Sequence, residues 1–262
     1  FTSGGTYEIK AGDTVTGATS TETAKVIEVS VTSGTWANGD AAGTLTCFDV
    51  SGTFQAENLD VGANSNVATI AGDFGSRGTI AISSGTATFS VAQKGDIGVG
   101  CYVSSSNVSG YISEMTDSTH AKIITATGGT HADVSSEALG AIYHPYASIN
   151  DAVAGSDDAN HLNTADLTSG DGFNLFWPCY GATADTNATT ISGYTTGTTN
   201  RIKLYTPQGG TECITEGGWR HQGKWSTDYF RIDPGTGYTP LTIDVDHVDV
   251  DGIQTLTSGT SN

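Results

Sequence analysis

The stretch YASINDAVAG (residues 146–155) is the one segment whose pattern predicts a helix. Ser148 suits the N-cap, and Asp151 follows three residues later, where its carboxylate can reach back in a capping-box-like arrangement. Gly155 is a natural residue to end the helix. Three apolar residues share one face of these two turns: Ile149, Ala152 and Val153. Because two turns are not stable alone, this face must lie against other elements of the fold.

Composition predicts an all-β chain around this helix. Gly, Ser and Thr are abundant, and apolar residues alternate in short runs. The 262 residues, of which 36% are hydrophobic, suffice for a buried core. With 10 basic and 28 acidic residues, the net charge of −18 argues against nucleic-acid partners and anionic membrane surfaces. No apolar run approaches the roughly 18 residues of a membrane span, so we expect no membrane insertion.

The four cysteines, Cys47, Cys101, Cys179 and Cys213, lie far apart without the spacing of a zinc site. Each lies in an apolar β run, which favours buried free thiols, while disulfides stay open for a chain outside the cell. The chain begins with Phe1 and not Met, as expected of a processed protein or of a piece of a longer one.

Two antiparallel β modules are predicted before the helix, at residues 1–77 and 78–143. In the first, AKVIEVSV (residues 24–31) places Ile27, Val29 and Val31 on one face of a strand. In the second, a hairpin turns at Ser84-Gly85. Residues 15–27 align without gaps on residues 112–124 and share an Ala-Lys pair, which indicates a repeated hairpin.

Residues 144–262 show a different pattern of short β runs, about one every 15 to 25 residues, without hairpin dipeptides between them. Such spacing is typical of a parallel β-solenoid, whose open ends need covering. We therefore interpret the helix as the N-terminal cap of a right-handed parallel β-helix. The predicted fold is all-β: small antiparallel β modules followed by the capped start of that β-helix.

Several segments resemble proteins of phage and environmental genomes. YASINDAV (146–153) resembles the entry helix of pectate-lyase-like right-handed β-helices, including those of tailspikes. The segment VTGATSTETAKVIEVSVTSGTWANGDAAGTLT (15–46) is similar to small β modules of phage virion proteins. Further likeness to β-helical proteins lies in SGTATFSVAQKGDIGVGCYV (84–103) and RHQGKWSTDYFRI (220–232). The resemblance implies a virion or extracellular location and assembly into homo-oligomers, with a trimer favoured.

Paired carboxylates in IDVDHVDVDG are the candidate metal ligands or acid–base groups: Asp244, Asp246, Asp249 and Asp251. Residues two apart on a strand are roughly 6 to 7 Å apart, which suits acid chemistry or a hard cation such as calcium. His247 and Val248 reset the alternation between the two pairs. Outward-facing Asp residues on an ordinary strand explain the same pattern, and we favour that interpretation; we predict no catalytic residue and no cofactor, with calcium left open.

A basic and aromatic cluster in WRHQGKW is the candidate carbohydrate site: Trp219, Arg220, His221 and Trp225. Aromatic faces and guanidinium groups suit sugar stacking or carboxylate binding. The favoured alternative is a structural loop in which Arg220 and Lys224 pair with nearby Asp side chains and the Trp rings cover the core. Trp36 is interpreted as the anchor of a turn.

Three functions are compatible with the sequence. The first is a non-enzymatic virion protein of a phage, such as a tail fibre, spike or capsid decoration protein. The second is an extracellular adhesin or filament subunit, and the third is a polysaccharide-degrading β-helix enzyme. Partners would be copies of the chain, other virion or filament proteins, and cell-surface polysaccharide. We favour the first function because of the serial β modules, the acidity of the chain, the absence of catalytic motifs and the resemblance.

Overall fold

The computed structural model describes residues 1–48, 50–51, 54–72, 78–215 and 218–256. The chain divides into two compact units. The first contains residues 1–79, 103–107 and 137–143, and the second contains residues 80–102, 108–136 and 144–262. The predicted all-β class is confirmed, since strands dominate and the described residues contain a single α-helix.

Thirteen strands lie in the described part of residues 1–148. Their bounds are β1 Thr2–Ser3, β2 Thr14–Gly17, β3 Thr23–Ser33, β4 Ala42–Phe48, β5 Ala56–Val61, β6 Asn64–Ala71, β7 Thr79–Ser83, β8 Thr86–Phe89, β9 Tyr102–Ser104, β10 Ser109–Asp117, β11 His120–Ile124, β12 Val134–Ala138 and β13 Ala141–Tyr143.

Strands β1 to β6 close into a barrel in the order β1-β4-β3-β2-β5-β6. The buried core includes Val15, Val26 and Leu59. Trp36 is confirmed as a turn anchor: it begins a 3-10 turn, is buried, and stacks on Phe1 with ring centroids 5.0 Å apart. The chain therefore buries its bulkiest turn residue in the barrel core.

The predicted inward face of β3 is corrected by a bulge. The register with β4 shifts between Val26 and Glu28, and the side chains that point inward before the shift are Ala24 and Val26. Val31, which was expected on the inner face, is exposed. A bulge adds one residue to one strand and reverses the alternation, so Ala24 and Val26 point inward before it, and Val29, which lies on the predicted face, packs against the core after it.

Glu57 fixes the loop between β2 and β3. Its carboxylate accepts hydrogen bonds from the backbone N–H groups of Thr19 (2.7 Å), Ser20 (2.8 Å) and Gln55 (2.9 Å). Burial raises the pKa of Glu57, but these donors and the Ser20 hydroxyl outweigh burial and lower it to about 2. Gly17 lies against this carboxylate so closely that a Cβ there would lie 2.7 Å from Glu57 Oε1.

The two segments of the predicted repeat both form antiparallel hairpins, β2-β3 and β10-β11. Their registers differ, because Val15 pairs with Ala24, whereas the aligned Ile112 pairs with Ile123 and not with Ala121. The two hairpins therefore share a sequence pattern and a topology, but their strands pair in different registers.

In the second unit, neighbouring strands follow the order β7-β8-β11-β10. The predicted hairpin at Ser84-Gly85 is confirmed: Ser83 pairs with Thr86, and both turn residues have positive φ, 51° and 76°. This is the conformation that a two-residue hairpin turn of type I′ requires.

The remaining strands pair in parallel. They are β14 Leu175–Pro178, β15 Ala184–Asp185, β16 Thr189–Ile191, β17 Ile202–Tyr205, β18 Arg231–Ile232, β19 Leu241–Ile243, β20 Val248–Asp251 and β21 Gln254–Thr255. They form three small sheets, β14-β17-β20, β15-β18-β21 and β16-β19. The chain thus visits the sheets in a constant order, and each of the strands β14 to β18 pairs with the third strand after it. We call this set of strands the parallel stack.

Inward residues of the parallel stack form columns. Leu175, Ile202 and Val248 lie side by side across one sheet. In the same sheet a second column is formed by Trp177, Leu204 and Val250. Parallel, in-register pairing therefore places apolar residues of successive strands directly above one another, and all of these residues except the exposed Val250 belong to the core.

The predicted helix is observed as α1, Ile149–Gly155. Ser148 caps it as expected: its hydroxyl accepts from the Asp151 N–H (3.1 Å) and donates to the Asp151 carboxylate (2.8 Å). Ile149 and Ala152 are buried, whereas Val153 is partly buried. The apolar face of α1 therefore packs on other elements, as so short a helix requires.

Those elements are the first strands of the three parallel sheets. The Ile149 N–H donates to the buried Asp185 carboxylate of β15 (2.8 Å). In β14, the indole N–H of Trp177 donates to the hydroxyl of Ser156 (2.9 Å). The helix also packs against β16. Hence α1 covers the end of the parallel stack at which the chain enters it.

The role expected of Gly155 is wrong. Gly155 is the last helical residue, and the C-cap is Ser156 with ordinary right-handed helical φ and ψ of −69° and −22°. Glycine is needed here for close packing, because a Cβ at this position would lie 2.9 Å from the Tyr146 ring.

Asp185 provides a direct test of how α1 is held. Replacing it in Asp185→Ala leaves the buried N–H of Ile149 without an acceptor, which costs about 1–3 kcal/mol. We expect the free energy of unfolding, measured with urea, to fall by about that amount. Asp171→Ala removes an exposed carboxylate and is the matched control. Equal effects of the two substitutions would contradict this account.

All four cysteines are free thiols. Cys101, Cys179 and Cys213 are buried, as expected, whereas Cys47 is only partly buried. The second unit is connected internally through this region, since Gly98 forms a β-bridge with Cys213 and the Tyr180 hydroxyl donates to the Val99 carbonyl (2.6 Å).

Candidate functional site

The outer face of the sheet β14-β17-β20 carries a group of charged side chains. Outward residues alternate with the apolar columns, so Phe176, Lys203 and Asp249 lie side by side. We define the charged face as the set Arg201, Lys203, Arg220, Asp249 and Asp251. It combines two of the carboxylates and one of the basic residues that the sequence singled out.

Arg–Asp pairs organise the charged face. Arg201 donates two hydrogen bonds to the Asp249 carboxylate, each 2.7 Å long. Arg220 donates two to the Asp251 carboxylate, one of them 2.8 Å long. Lys203 Nζ lies 3.9 Å from Asp251 Oδ2. The two Arg–Asp pairs are bidentate, which is the geometry in which a guanidinium group and a carboxylate match best.

The electrostatics follow from these contacts. The hydrogen bonds from Arg201 hold the pKa of Asp249 below its usual value, and those from Arg220 do the same for Asp251. Both carboxylates are therefore ionised and already neutralised by cations. Calcium would have to displace a guanidinium group from either of them.

The basic and aromatic cluster lies in the long loop, residues 206–230, between β17 and β18. Arg220 pairs with Asp251, so the predicted structural pairing is confirmed for this residue. Trp219 is partly buried, and its backbone N–H donates to the Pro207 carbonyl (2.8 Å). Trp225 is 48% exposed and does not cover the core.

His221 and Lys224 lie in the same loop without joining the charged face. The Nδ1 of His221 accepts from the Gly223 N–H (3.0 Å). Lys224 is exposed and makes no ion pair with any residue that the structure describes. Gln254 fixes the loop to β21, because its amide exchanges two hydrogen bonds with the backbone of Ser226 (2.9 and 3.0 Å).

Asp244 and Asp246 lie outside the strands, which corrects their predicted placement. β19 ends at Ile243, and both residues lie in the corner before β20. The reset at His247 is confirmed, since this residue has a φ of +54°. The two predicted pairs are thus not equivalent, and only Asp249 and Asp251 lie on a strand.

No group of three or more potential metal ligands occurs among residues 1–48, 50–51, 54–72, 78–215 and 218–256. The charged face offers instead the outer edges of its guanidinium groups. The ring of Phe176, which is 55% exposed, lies next to it, beside Lys203. Such a surface can bind a planar or anionic group by stacking and hydrogen bonding. Arg201 and Lys203 were missed from the sequence, although their alternation with Ile202 and Leu204 marks them as outward-facing.

A pair formed by the buried Cys101 and the partly buried His144 was also not predicted from the sequence. Cys101 Sγ lies 3.6 Å from His144 Nδ1, and the His144 ring packs on Tyr180. Burial raises the pKa of Cys101 to about 12 and lowers that of His144 to about 4. Both groups are therefore neutral near pH 7, whereas a nucleophilic cysteine requires the thiolate.

His144 makes the stability of the second unit depend on pH. Above its unfolded pKa of 6.5 the histidine is neutral in both states, whereas below it only the unfolded chain gains the proton. Stability is therefore lost as the pH falls from 6.5 towards 4, by up to about 3 kcal/mol. We expect His144→Gln to show a flatter dependence in urea titrations over this range. A control, His221→Gln, changes a histidine in the exposed loop, and identical slopes for both variants would contradict the assignment.

No protein-family model, curated protein or solved structure matches this chain. No helix in the described part of the chain is long and apolar enough to cross a membrane. The function must therefore be argued from the geometry alone.

Proposed function

We propose that the chain is a non-enzymatic structural protein of a phage virion, part of a tail fibre, spike or capsid decoration. The observation that carries this proposal is the parallel stack, entered through α1 and built from columns of apolar residues. Such an architecture resists deformation along the direction of stacking, because every strand is hydrogen-bonded to the next.

The same proposal includes the type of parallel β fold. Three sheets visited in constant order, with a capping helix before the first strands, support the start of a right-handed parallel β-helix. The resemblance of residues 146–153 to the entry helix of such folds points the same way. The charged face would then lie on the flank of the solenoid, where it is available to a neighbouring chain or a cell-surface polysaccharide.

The state of the reactive groups favours a structural role over an enzyme. Asp249 and Asp251 are paired with guanidinium groups, and Cys101 and His144 are both neutral near pH 7. A glycosidase requires one carboxyl group kept protonated as an acid beside a second that is ionised. Pairing with arginine lowers the pKa of Asp249 and that of Asp251 alike, so neither carboxyl group is kept protonated to act as the acid.

Native mass tests this function. We expect light scattering to give a trimer, about three times the 26.9 kDa chain, in calcium and in EDTA alike. Calcium independence is expected because the strand carboxylates are held by Arg201 and Arg220. Copies packed side by side would bury apolar surface worth about 25 cal/mol per Å².

Other outcomes would redirect the proposal. A monomer under both conditions would contradict the assembled virion role and direct attention to the enzyme, for which Asp244→Ala and Asp246→Ala should then abolish polysaccharide cleavage. Long polymers would favour the filament subunit. Loss of the trimer in EDTA would contradict the assignment of the Asp residues to ion pairs.

A further inference from the structure

Four partly exposed aromatic residues lie next to one another in the second unit, apart from the charged face. Two of them are in neighbouring strands, Tyr102 in β9 and Tyr111 in β10. The other two lie on either side of α1 in the sequence, Tyr146 before the helix and His161 after it. We define the aromatic row as these four residues.

The rings of the aromatic row contact one another in sequence. The ring centroids of Tyr102 and Tyr111 are 5.2 Å apart, those of Tyr111 and His161 are 6.0 Å apart, and those of His161 and Tyr146 are 5.2 Å apart. These are ordinary distances for paired aromatic rings. Three consecutive contacts suit an elongated ligand, whereas a compact cation such as a quaternary ammonium ion is bound by a cage of rings around one point.

Hydrogen bonds hold the rings of the aromatic row in place. The Tyr111 hydroxyl shares a hydrogen bond with Nδ1 of His161, and the Tyr102 hydroxyl shares one with the Ser109 hydroxyl (2.5 Å). The backbone N–H of His161 donates to the Asp158 carbonyl (2.9 Å). Side chains that are already ordered lose little conformational entropy when a ligand binds.

His161 also offers a polar contact to a ligand. Burial lowers the pKa of His161, so its ring is neutral near pH 7. Its Nε2 makes no hydrogen bond with any residue that the structure describes, and it is not one of the buried side-chain atoms that lack a partner there. Nε2 is therefore accessible to solvent. A hydroxyl group fits this nitrogen in either tautomer, because a hydroxyl both donates and accepts.

The charges beside the aromatic row disfavour an acidic ligand. Burial raises the pKa of Tyr146, and the carboxylates of Asp158 and Asp157 raise it further, so both carboxylates lie close to this ring. The Asp158 side chain is exposed and makes no ion pair with any described residue. Carboxylates repel anionic ligands and accept hydrogen bonds from neutral hydroxyl groups.

We propose that the aromatic row is a binding site for a neutral polysaccharide. Sugar rings place their C–H faces on the exposed parts of the tyrosine rings, as amphipathic aromatic side chains allow. Sugar hydroxyls bond to Nε2 of His161 and to the Asp158 carboxylate. The bacterial origin of this polysaccharide rests on the virion role proposed above, in which the aromatic row recognises a neutral chain on the host surface.

Affinity electrophoresis in native gels tests the ligand class. The probes are three neutral polymers, dextran, mannan and galactan, and two acidic polymers, alginate and polygalacturonate. We expect at least one neutral polymer to retard the protein and neither acidic polymer to do so. Retardation by no neutral polymer, or equal retardation by neutral and acidic ones, would overturn the proposal. Release by added choline chloride would overturn the choice of a sugar in favour of a cation.

Variants locate the binding within the second unit. We expect Tyr102→Ala and Tyr111→Ala to weaken binding about tenfold each through loss of ring contact, and Tyr111→Phe, which keeps the ring, to weaken it less. Tyr238→Ala is the matched control, since Tyr238 is 62% exposed and lies outside the row, between β18 and β19. Equal weakening by Tyr238→Ala would contradict the assignment to the aromatic row.

A variant that leaves the packing intact guards against a loss of binding caused by unfolding. Asp158→Ala removes only an exposed carboxylate, and we expect it to weaken binding about fivefold. Asp171→Ala, which also removes an exposed carboxylate, should bind like the parent chain. Equal binding by these two variants would overturn the role of Asp158.

The same samples separate this proposal from the trimer. Because the aromatic row shares no residue with the charged face, the variants should keep the native mass of the parent chain. A trimer that binds no neutral polymer overturns the polysaccharide site alone, and a monomer that binds one overturns the trimer alone.

Discussion

Parallel pairing of short strands is the constraint on which the second unit depends. Pairing in register stacks Trp177, Leu204 and Val250 in one column, so each layer buries the apolar residues of the layer before it. The first layer has nothing before it and requires a cover. The hydrogen bond from Ile149 to Asp185 and the one from Trp177 to Ser156 hold α1 in that position. A helix too short to be stable by itself is thus stabilised by the surface that needs it.

The same stacking determines the chemistry of the outer face. Residues between the column positions project outward and lie beside one another in successive strands, which brings Arg201 to Asp249 although they are far apart in sequence. A chain with a net charge of −18 has few cations to place. Arg201, Lys203 and Arg220 are concentrated on this face, where they neutralise two strand carboxylates. Repulsion between neighbouring Asp residues is thereby relieved where the strands require them to be close.

Local features could be predicted from the sequence, because they depend on a few adjacent residues. Ser148 and Asp151 define the start of α1, and Ser84-Gly85 define a hairpin turn, since caps and turns are properties of short segments. The inner face of β3 was predicted only in part, because the bulge that brings Ala24 and Val26 inward before Val29 follows from pairing with β4 and not from β3 itself. For the same reason, the corner position of Asp244 and the partner of Arg220 depend on contacts between distant segments.

The strong acidity of the chain has different consequences at its different surfaces. Net charge of one sign opposes nonspecific association, so a contact between copies must place cations opposite carboxylates or bury apolar area large enough to outweigh repulsion. The charged face meets the first condition, because its guanidinium groups have donors beyond those given to Asp249 and Asp251. In the proposed assembly of copies, charge therefore favours the flank of the parallel stack as the contact surface.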